Sequence, residues 1–417
     1  MTTPSLGRHL GLGAAVAIGL GSMIGAGVFS ALGPATAAAG SGVFVALAVA
    51  AVVAFGNATS TAQLAAVHPT SGGVYAYGRA ELGPWWGFAA GWGFVVGKIA
   101  SCAAMALTFS AYVAPNGWER VVAAAAVVAL TAVNLVGITR TAQVTRLLVA
   151  VVLLVLAAAS VAIFTGDRTP SAALAAGIPV DAYGVLQAAG LLFFAFAGYA
   201  RIATLGEEVR DPATTIPRAI ILAFAGAVLV YAVVAVAVTA ALGTDGVAAS
   251  TAPVADAVRA ADAAWALPLV QVGAAAASLG ALLALIAGIG RTAFAMAREG
   301  DLPGILNAVH PRWGVPHRAE IAAGGAIVLL VLTVDLRGAI GFSSFGVLVY
   351  YAVANLAAYR QRRSARRYPR ILQIVGLSGC LILGATLPWQ AVAAGAAVIA
   401  VGLGARVVRL SSRPWTR

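Results

Sequence analysis

The chain contains few charged residues: Asp, Glu, Lys and Arg together make up 10% of its 417 residues. A soluble domain typically carries about 25%, whereas here 61% of the residues are hydrophobic. No soluble fold of this length could bury so much apolar surface, so the sequence predicts that lipid surrounds the protein. This composition excludes soluble enzymes and soluble binding domains.

Cysteine and histidine are also scarce. The two cysteines, Cys102 and Cys380, lie within apolar runs, where a disulfide has little purpose. The four histidines all fall between apolar runs, at His9, His68, His310 and His317. Because no metal-ligand spacing and no intramembrane acid cluster accompanies them, the sequence predicts no metal, no cofactor and no enzymatic activity.

Basic residues outnumber acidic ones by 26 to 14, which gives a net charge of +12. They cluster in short gaps between apolar runs, so they indicate membrane topology and not a nucleic-acid partner. With the N-terminus placed in the cytoplasm, 21 of the 26 fall inside and four outside. The positive-inside rule therefore predicts a multi-pass protein of the cell membrane with both termini cytoplasmic. We expect the arginine-rich run 360–370 to contact anionic membrane lipid.

What the sequence does contain is a series of long apolar runs. A helix needs about 20 apolar residues to cross the bilayer core. Twelve runs qualify, so we predict an all-α membrane protein with about 12 transmembrane helices. The predicted spans are 10–38, 43–66, 85–113, 120–137, 143–165, 183–206, 217–242, 265–297, 319–335, 338–359, 371–387 and 389–405.

Two of these helices are predicted to be interrupted. The first has glycines at positions 19, 21, 25 and 27, and the sixth contains FFAFAGYA, residues 193–200. The two interruptions lie five helices apart, so the two helices enter the membrane from opposite sides, as inverted repeats require. Irregular backbone at membrane depth is tolerated only where it is buried in protein or lines a cavity.

The glycine-rich stretch of the first helix has two interpretations. The glycines could serve only close helix packing. Alternatively the helix unwinds around Gly25, so that the N–H groups of Ala26 and Gly27 face a carboxylate and the carbonyls near Met23 and Ile24 face an ammonium. A half-helix N-terminus stabilises an anion by about 0.3–2 kcal/mol.

The stretch from Gly21 to Phe29 resembles the glycine-rich signature of the amino acid–polyamine–organocation (APC) transporter family. Residues 68–84, 207–220 and 291–319 resemble, in order, three loops of the same family, and the ordered set is more specific than any one motif. The resemblance implies a LeuT-like 5+5 inverted repeat with broken helices 1 and 6, and alternating-access transport of amino acids or related amines. The implied units are a first repeat over 1–165, a second over 166–360 and two additional helices in 361–417.

The chain departs from the family at two positions that bear on the coupling ion. Many relatives have a glutamate two residues after the glycine of helix six, whereas Gly198 is followed here by Tyr199 and Ala200. Proton-coupled relatives often carry a lysine in helix five, where this chain has Val152. A proton is the coupling ion that we consider first, and these departures leave its site open.

Lys98 is a charged residue placed in the middle of a predicted span. It lies 13 residues past Trp85, about 20 Å along the helix at 1.5 Å per residue. An uncompensated charge at that depth costs at least about 2.5–3.5 kcal/mol, and no Asp or Glu lies mid-span to pair with it. Lys98 therefore contacts substrate, titrates as the coupling group, or has a structural role with carbonyl, hydroxyl or water partners.

The predicted substrate site combines the two breaks with the helix-three residues that the resemblance places beside the substrate side chain. Its members are Met23, Ile24, Gly25, Ala26, Gly27, Phe94, Lys98, Phe194, Ala197 and Gly198. Lys98 and Ser278 are the coupling candidates, although Ser278 could equally bond back to its own helix. The alternatives are a channel, for which the helices lack a continuous polar lining, and a non-transporting membrane sensor of amino acids.

Overall fold

The computed structural model describes residues 10–68, 72–137, 142–166, 181–203 and 208–411. Within these ranges the chain is helical and has no strand, apart from a single bridge between Leu10 and Val209. The α-helices are α1 (Leu12–Met23), α2 (Ala26–Ser30), α3 (Leu32–Ala39), α4 (Val43–Val67), α5 (Gly73–Leu82), α6 (Pro84–Val113), α7 (Glu119–Leu135), α8 (Ala142–Thr165), α9 (Ala182–Phe196), α10 (Ala200–Ala203), α11 (Pro212–Ala249), α12 (Pro253–Ala260), α13 (Leu267–Arg298), α14 (His317–Thr333), α15 (Leu336–Arg360), α16 (Arg370–Thr386) and α17 (Trp389–Ser411).

Among the described residues, nine helical segments are long and apolar enough to cross a membrane. The all-α membrane fold class is thereby confirmed. Three further helices fall where spans were predicted, namely α7, α14 and α16, and each has 17 residues. Such a helix is about 26 Å long, at the lower limit for crossing the hydrocarbon core. The count of twelve and the 5+5 repeat stay predictions.

Small residues set how closely the central helices pack. At the contact between α6 and α15, a side chain added to Gly346 would place its Cβ 2.7 Å from the Cα of Gly97. Close backbone approach of this kind is typical of membrane helix bundles, because the hydrophobic effect does not drive helices together within lipid. Long side chains such as Leu154, 70% exposed, lie on the periphery, where lipid would cover them.

One connection differs from expectation. Residues 68–84 were predicted as a loop, but they contain the helix α5. Val74, Tyr75, Tyr77 and Gly78 are buried on one side of it, and the Tyr77 hydroxyl donates to the carbonyl of Ala203, 3.1 Å away. The apolar side of a ten-residue helix thus packs against the bundle, which the sequence pattern alone did not reveal.

A buried carboxylate joins three elements at the end of the bundle that is predicted to face the cytoplasm. Asp301 accepts from Arg79 on α5 at 3.0 Å, from the Tyr75 hydroxyl at 2.9 Å, and from Arg406 on α17. Burial, and then the neighbouring Asp301, raise the pKa of Tyr75 well above its ordinary value, so its hydroxyl stays a donor. The cluster ties the last helix to the connection before α14.

Candidate functional site

The interruption predicted in the first helix is present. Helix α1 ends at Met23 and α2 begins at Ala26. Between them Ile24 has ψ 54° and Gly25 has φ −94° and ψ −138°, values that leave the helical region. No side chain caps the start of α2. The N–H groups at that end are therefore not bonded to a capping side chain.

The second interruption is milder than expected. Helix α9 ends at Phe196, a 3-10 turn covers Ala197–Tyr199, and α10 continues from Ala200. The helix tightens here instead of unwinding. A 3-10 turn inside a longer helix often marks a hinge.

The two interruptions pack directly against each other. A Cβ on Gly27 would lie 2.6 Å from the Cα of Ala195 in α9, and a Cβ on Gly198 would overlap the backbone of Ser22 and Met23. Neither obstacle is the mobile end of a side chain. Because only glycine fits at both positions, the glycines serve close packing and bring the two breaks together.

A residue that the sequence analysis missed joins the two breaks. The hydroxyl of Tyr231, on α11, lies 2.6 Å from the carbonyl oxygen of Met23 and 2.7 Å from that of Ala195. A hydroxyl has one proton, so Tyr231 donates to one of the two carbonyls at a time. The carbonyl of Met23, expected to face an ammonium, therefore shares this hydroxyl with the carbonyl of Ala195. A buried tyrosine hydroxyl usually needs a hydrogen-bond partner. A tyrosine within an apolar run was therefore the sequence feature that could have indicated this contact.

Lys98 reaches the second break. Its side chain is 6% exposed, and Nζ donates to the carbonyl oxygen of Ala197 over 3.3 Å. The Tyr351 hydroxyl, from α15, donates to the same oxygen at 3.2 Å. A carbonyl oxygen has two lone pairs, and this one uses both. The expected carbonyl partner of Lys98 is thus found at a predicted site residue, and Tyr351 is a second residue that sequence reasoning missed.

The remaining predicted residues divide between the breaks and the packing around them. Ile24 and Phe194 are buried. Phe94 packs on Tyr350 with ring centroids 5.3 Å apart, so it belongs to the interface of α6 with α15. Ser278 on α13 is fully buried, and its Oγ has no hydrogen-bond partner among the described residues. The interpretation that Ser278 bonds back to its own helix is therefore wrong.

Space at the breaks is small. The cavity there has a volume of about 10 Å³ and is lined in part by Gly27, Leu192, Ala195 and Tyr231. This is about one water probe, far less than an amino acid needs. A larger depression of about 410 Å³ lies elsewhere, beside residues 297–300, residues 302–304 and Arg409. Binding at the breaks therefore requires the two interrupted helices to separate.

We expect Tyr231→Phe to lower stability and to change substrate affinity. The substitution removes the donor and leaves two buried carbonyls without it, and an unsatisfied buried group costs about 1–3 kcal/mol. A thermal unfolding series of the purified protein measures the change. Tyr183→Phe is the matched control, because Tyr183 is 54% exposed and should leave the midpoint unchanged. An equal midpoint for both variants would show that the bridge is not stabilising.

A bundle of long apolar helices built around two facing interruptions defines a polytopic membrane protein of the transporter class. The amino acid permease family model matches residues 14–412. The chain therefore belongs to the amino acid permease family, within the APC family that the sequence motifs indicated.

Curated relatives agree with this assignment. A Mycobacterium tuberculosis (strain ATCC 25618 / H37Rv) protein described as an uncharacterized transporter is 59% identical over 97% of this chain and 92% of its own length. The branched-chain amino acid permease BcaP of Bacillus subtilis (strain 168) is 27% identical over 92% of this chain and 89% of its own. Human cationic amino acid transporter 4 is 27% identical over 80% of this chain and 56% of its own.

Proposed function

We propose that the chain carries an amino acid, or a closely related amine, across the cell membrane by alternating access, with the substrate bound between the two helix breaks. The observation that carries this proposal is the pair of breaks themselves. The backbone between α1 and α2 is non-helical, and the backbone between α9 and α10 forms a tighter 3-10 turn. The two segments pack against each other through glycines that contact the opposite backbone. Two breaks in facing helices are the arrangement by which membrane transporters hold small zwitterions.

The backbone at the breaks supplies complementary groups for an amino acid. The uncapped start of α2 offers the N–H groups of Ala26 and Gly27 to a carboxylate. The carbonyls of Met23 and Ala195 accept hydrogen bonds and now share one Tyr231 hydroxyl. A substrate ammonium has three donors, so it can satisfy both carbonyls at once. The hydrogen bonds of the substrate ammonium would then replace those that Tyr231 loses when the breaks separate.

Alternating access follows from the same contacts. The repeats over 1–165 and 166–360 would rock about the site, with 361–417 as additional helices and both termini in the cytoplasm. Lys98 and Tyr351 hold the carbonyl of Ala197, so they keep the second break fixed while the first one moves. Closure after substrate release would restore the tight packing of Gly27 on Ala195.

Lys98 is the one lysine of the chain. The variant Lys98→Ala distinguishes between the two functional roles considered for it. If Lys98 is a counter-charge for the substrate side chain, the variant should lose acidic or polar substrates, by 10-fold or more in affinity, and keep apolar ones. If Lys98 is the coupling group, affinity should stay within about twofold while accumulation loses its pH dependence, where twofold is roughly 0.4 kcal/mol.

The control for this experiment is Lys98→Arg, which keeps the charge but is bulkier and does not deprotonate. It should restore neither property completely. Binding and uptake are measured on the same reconstituted samples across a pH series. An alanine variant with unchanged selectivity and an unchanged pH profile would leave Lys98 as a structural residue.

Uptake of radiolabelled amino acids into proteoliposomes tests the proposed function. Leucine, isoleucine and valine come first, because one relative is named a branched-chain amino acid permease, and lysine and arginine follow from the relatives named cationic transporters. We expect saturable uptake and counterflow for at least one amino acid. Binding without flux would favour the sensor, and flux without saturation or counterflow would favour the channel.

A further inference from the structure

A second buried polar site lies away from the helix breaks. Glu320, in the first turn of α14, is 2% exposed. It packs against Gly290 of α13 so closely that a Cβ there would lie 2.5 Å from the Cγ of Glu320. Its Oε2 is shielded from solvent and has no hydrogen-bond partner within the described part of the chain. A carboxylate oxygen in such surroundings needs a partner, and the described residues do not provide one.

Among the described residues, three polar side chains of the helices packed around Glu320 donate to other groups. On α7, Thr131 and Asn134 donate to backbone carbonyls, and on α13 Thr292 does the same. Arg291 is the charged group of α13 that acts on Glu320. No ion pair within 4.0 Å joins the two, as judged from the described residues. An electrostatic attraction to Arg291 from beyond 4.0 Å does not give the buried Oε2 a hydrogen-bond partner.

The other ionisable groups on the surrounding elements are few. On α7 they are Glu119 and Arg120, which lie at its opposite end, and on α6 the one charged side chain is Lys98. The 3-10 turn Gly304–Leu306, which also contacts α14, has none. On α13 the remaining charged group is Arg298, eight residues past Gly290. On α14 itself, the exposed Arg318 and, one turn before Glu320, His317 precede it, and the Nδ1 of His317 is also buried and without a partner in the described chain.

We propose that Glu320 is a proton-binding site, and that the proton it takes up and releases is the one that drives transport. The inference rests on the proposed transport function and adds the coupling ion and its site. The proton comes from water, adds to Oε2 while the carboxyl is buried between α13 and α14, and returns to water when those helices part. Arg291 is then the nearby cation that stabilises the carboxylate left behind.

Helix α13 connects this site to the substrate. Gly290 contacts Glu320, and nine residues earlier Ala281 lies against Gly25 at the first break. Nine residues of helix span about 13 Å. A movement of α13 away from α14 would therefore also change the wall of the first break. One element in contact with both sites is what coupling between a proton and a substrate requires.

Glu320→Gln, reconstituted in proteoliposomes, tests the site. The amide is neutral at every pH, so we expect uptake driven by an imposed proton gradient to fall at least 10-fold and the pH dependence to flatten. Counterflow of the same labelled amino acid, leucine in the first instance, needs no net proton movement and should stay within about twofold, roughly 0.4 kcal/mol. Glu119→Gln, the loss of an acid at the opposite end of α7, should behave as wild type.

A spectroscopic readout separates this inference from the transport function. Infrared difference spectra of the wild-type protein, taken between acidic and alkaline pH, should contain a protonated-carboxyl band that Glu320→Gln removes and Glu320→Asp retains. This measurement needs no substrate, so it holds even if no amino acid is transported. The proposal is overturned by a wild-type protein that transports an amino acid but does not use an imposed proton gradient, by a glutamine variant that accumulates substrate normally, or by a band that persists in that variant. Should the glutamine variant not fold, loss or retention of the band in Glu320→Ala decides instead.

Discussion

Replacement of Gly27 by leucine is expected to abolish substrate binding while leaving folded protein in the membrane. A side chain at this position meets the backbone of α9, with Cβ 2.6 Å from the Cα of Ala195, so a change of rotamer cannot relieve the overlap. The leucine side chain would occupy the space between the breaks, so the substrate could not reach the groups that hold it. Binding of labelled amino acid and monodispersity are measured on the same preparation.

The control for Gly27→Leu is Gly404→Leu on α17, where a Cβ would meet nothing within 4 Å. It should bind as wild type does and elute identically. A monodisperse Gly27→Leu variant with wild-type affinity would contradict the proposed location of the site.

Asp301→Asn is expected to lower the free energy of unfolding more than any conservative surface change. The aspartate is 5% exposed and its partner Arg406 is 6% exposed, and Arg79 binds the same carboxylate. Removal of one member of a buried ion pair costs about 3–5 kcal/mol, because the partner charge stays buried without compensation. Thermal or denaturant unfolding in a fixed detergent measures the loss.

The matched control for Asp301 is Asp256→Asn. Asp256 pairs with Arg259 at 2.7 Å, but the two side chains are 37% and 52% exposed. An exposed pair contributes about 0–1 kcal/mol, so the control should change stability little. Equal losses for the two variants would show that the Asp301 cluster does not fasten α17 to the bundle.

The sequence predicted the parts of the site that depend on local chemistry. Four glycines within nine residues predicted an interruption in the first helix, and the backbone leaves the helical region at Ile24 and Gly25. The depth of Lys98 predicted a buried cation with a non-acidic partner, and that partner is the carbonyl of Ala197. Both features follow from constraints that act within one helix: glycine content and the cost of charge in lipid.

The parts that depend on tertiary contacts were not predictable from the sequence. Tyr231 stands in an apolar run and bonds to Met23, 208 positions earlier. Arg406 and Asp301 are 105 positions apart, and the positive-inside rule treats Arg406 only as a topology signal. Glu320 is an acid near a helix start, where a solvated position is the ordinary expectation. Only the packing of α13 against α14 shows that it is buried.

The position of the bound substrate is the most direct test of the account. Purified protein in lipid nanodiscs, saturated with an amino acid that it transports, is imaged by electron cryomicroscopy with a bound antibody fragment. The account predicts ligand density between residues 23–27 and 195–198, with its carboxylate at the start of α2 and its ammonium near the carbonyls of Met23 and Ala195. Density at another place, with Gly27 still packed on Ala195, would contradict it.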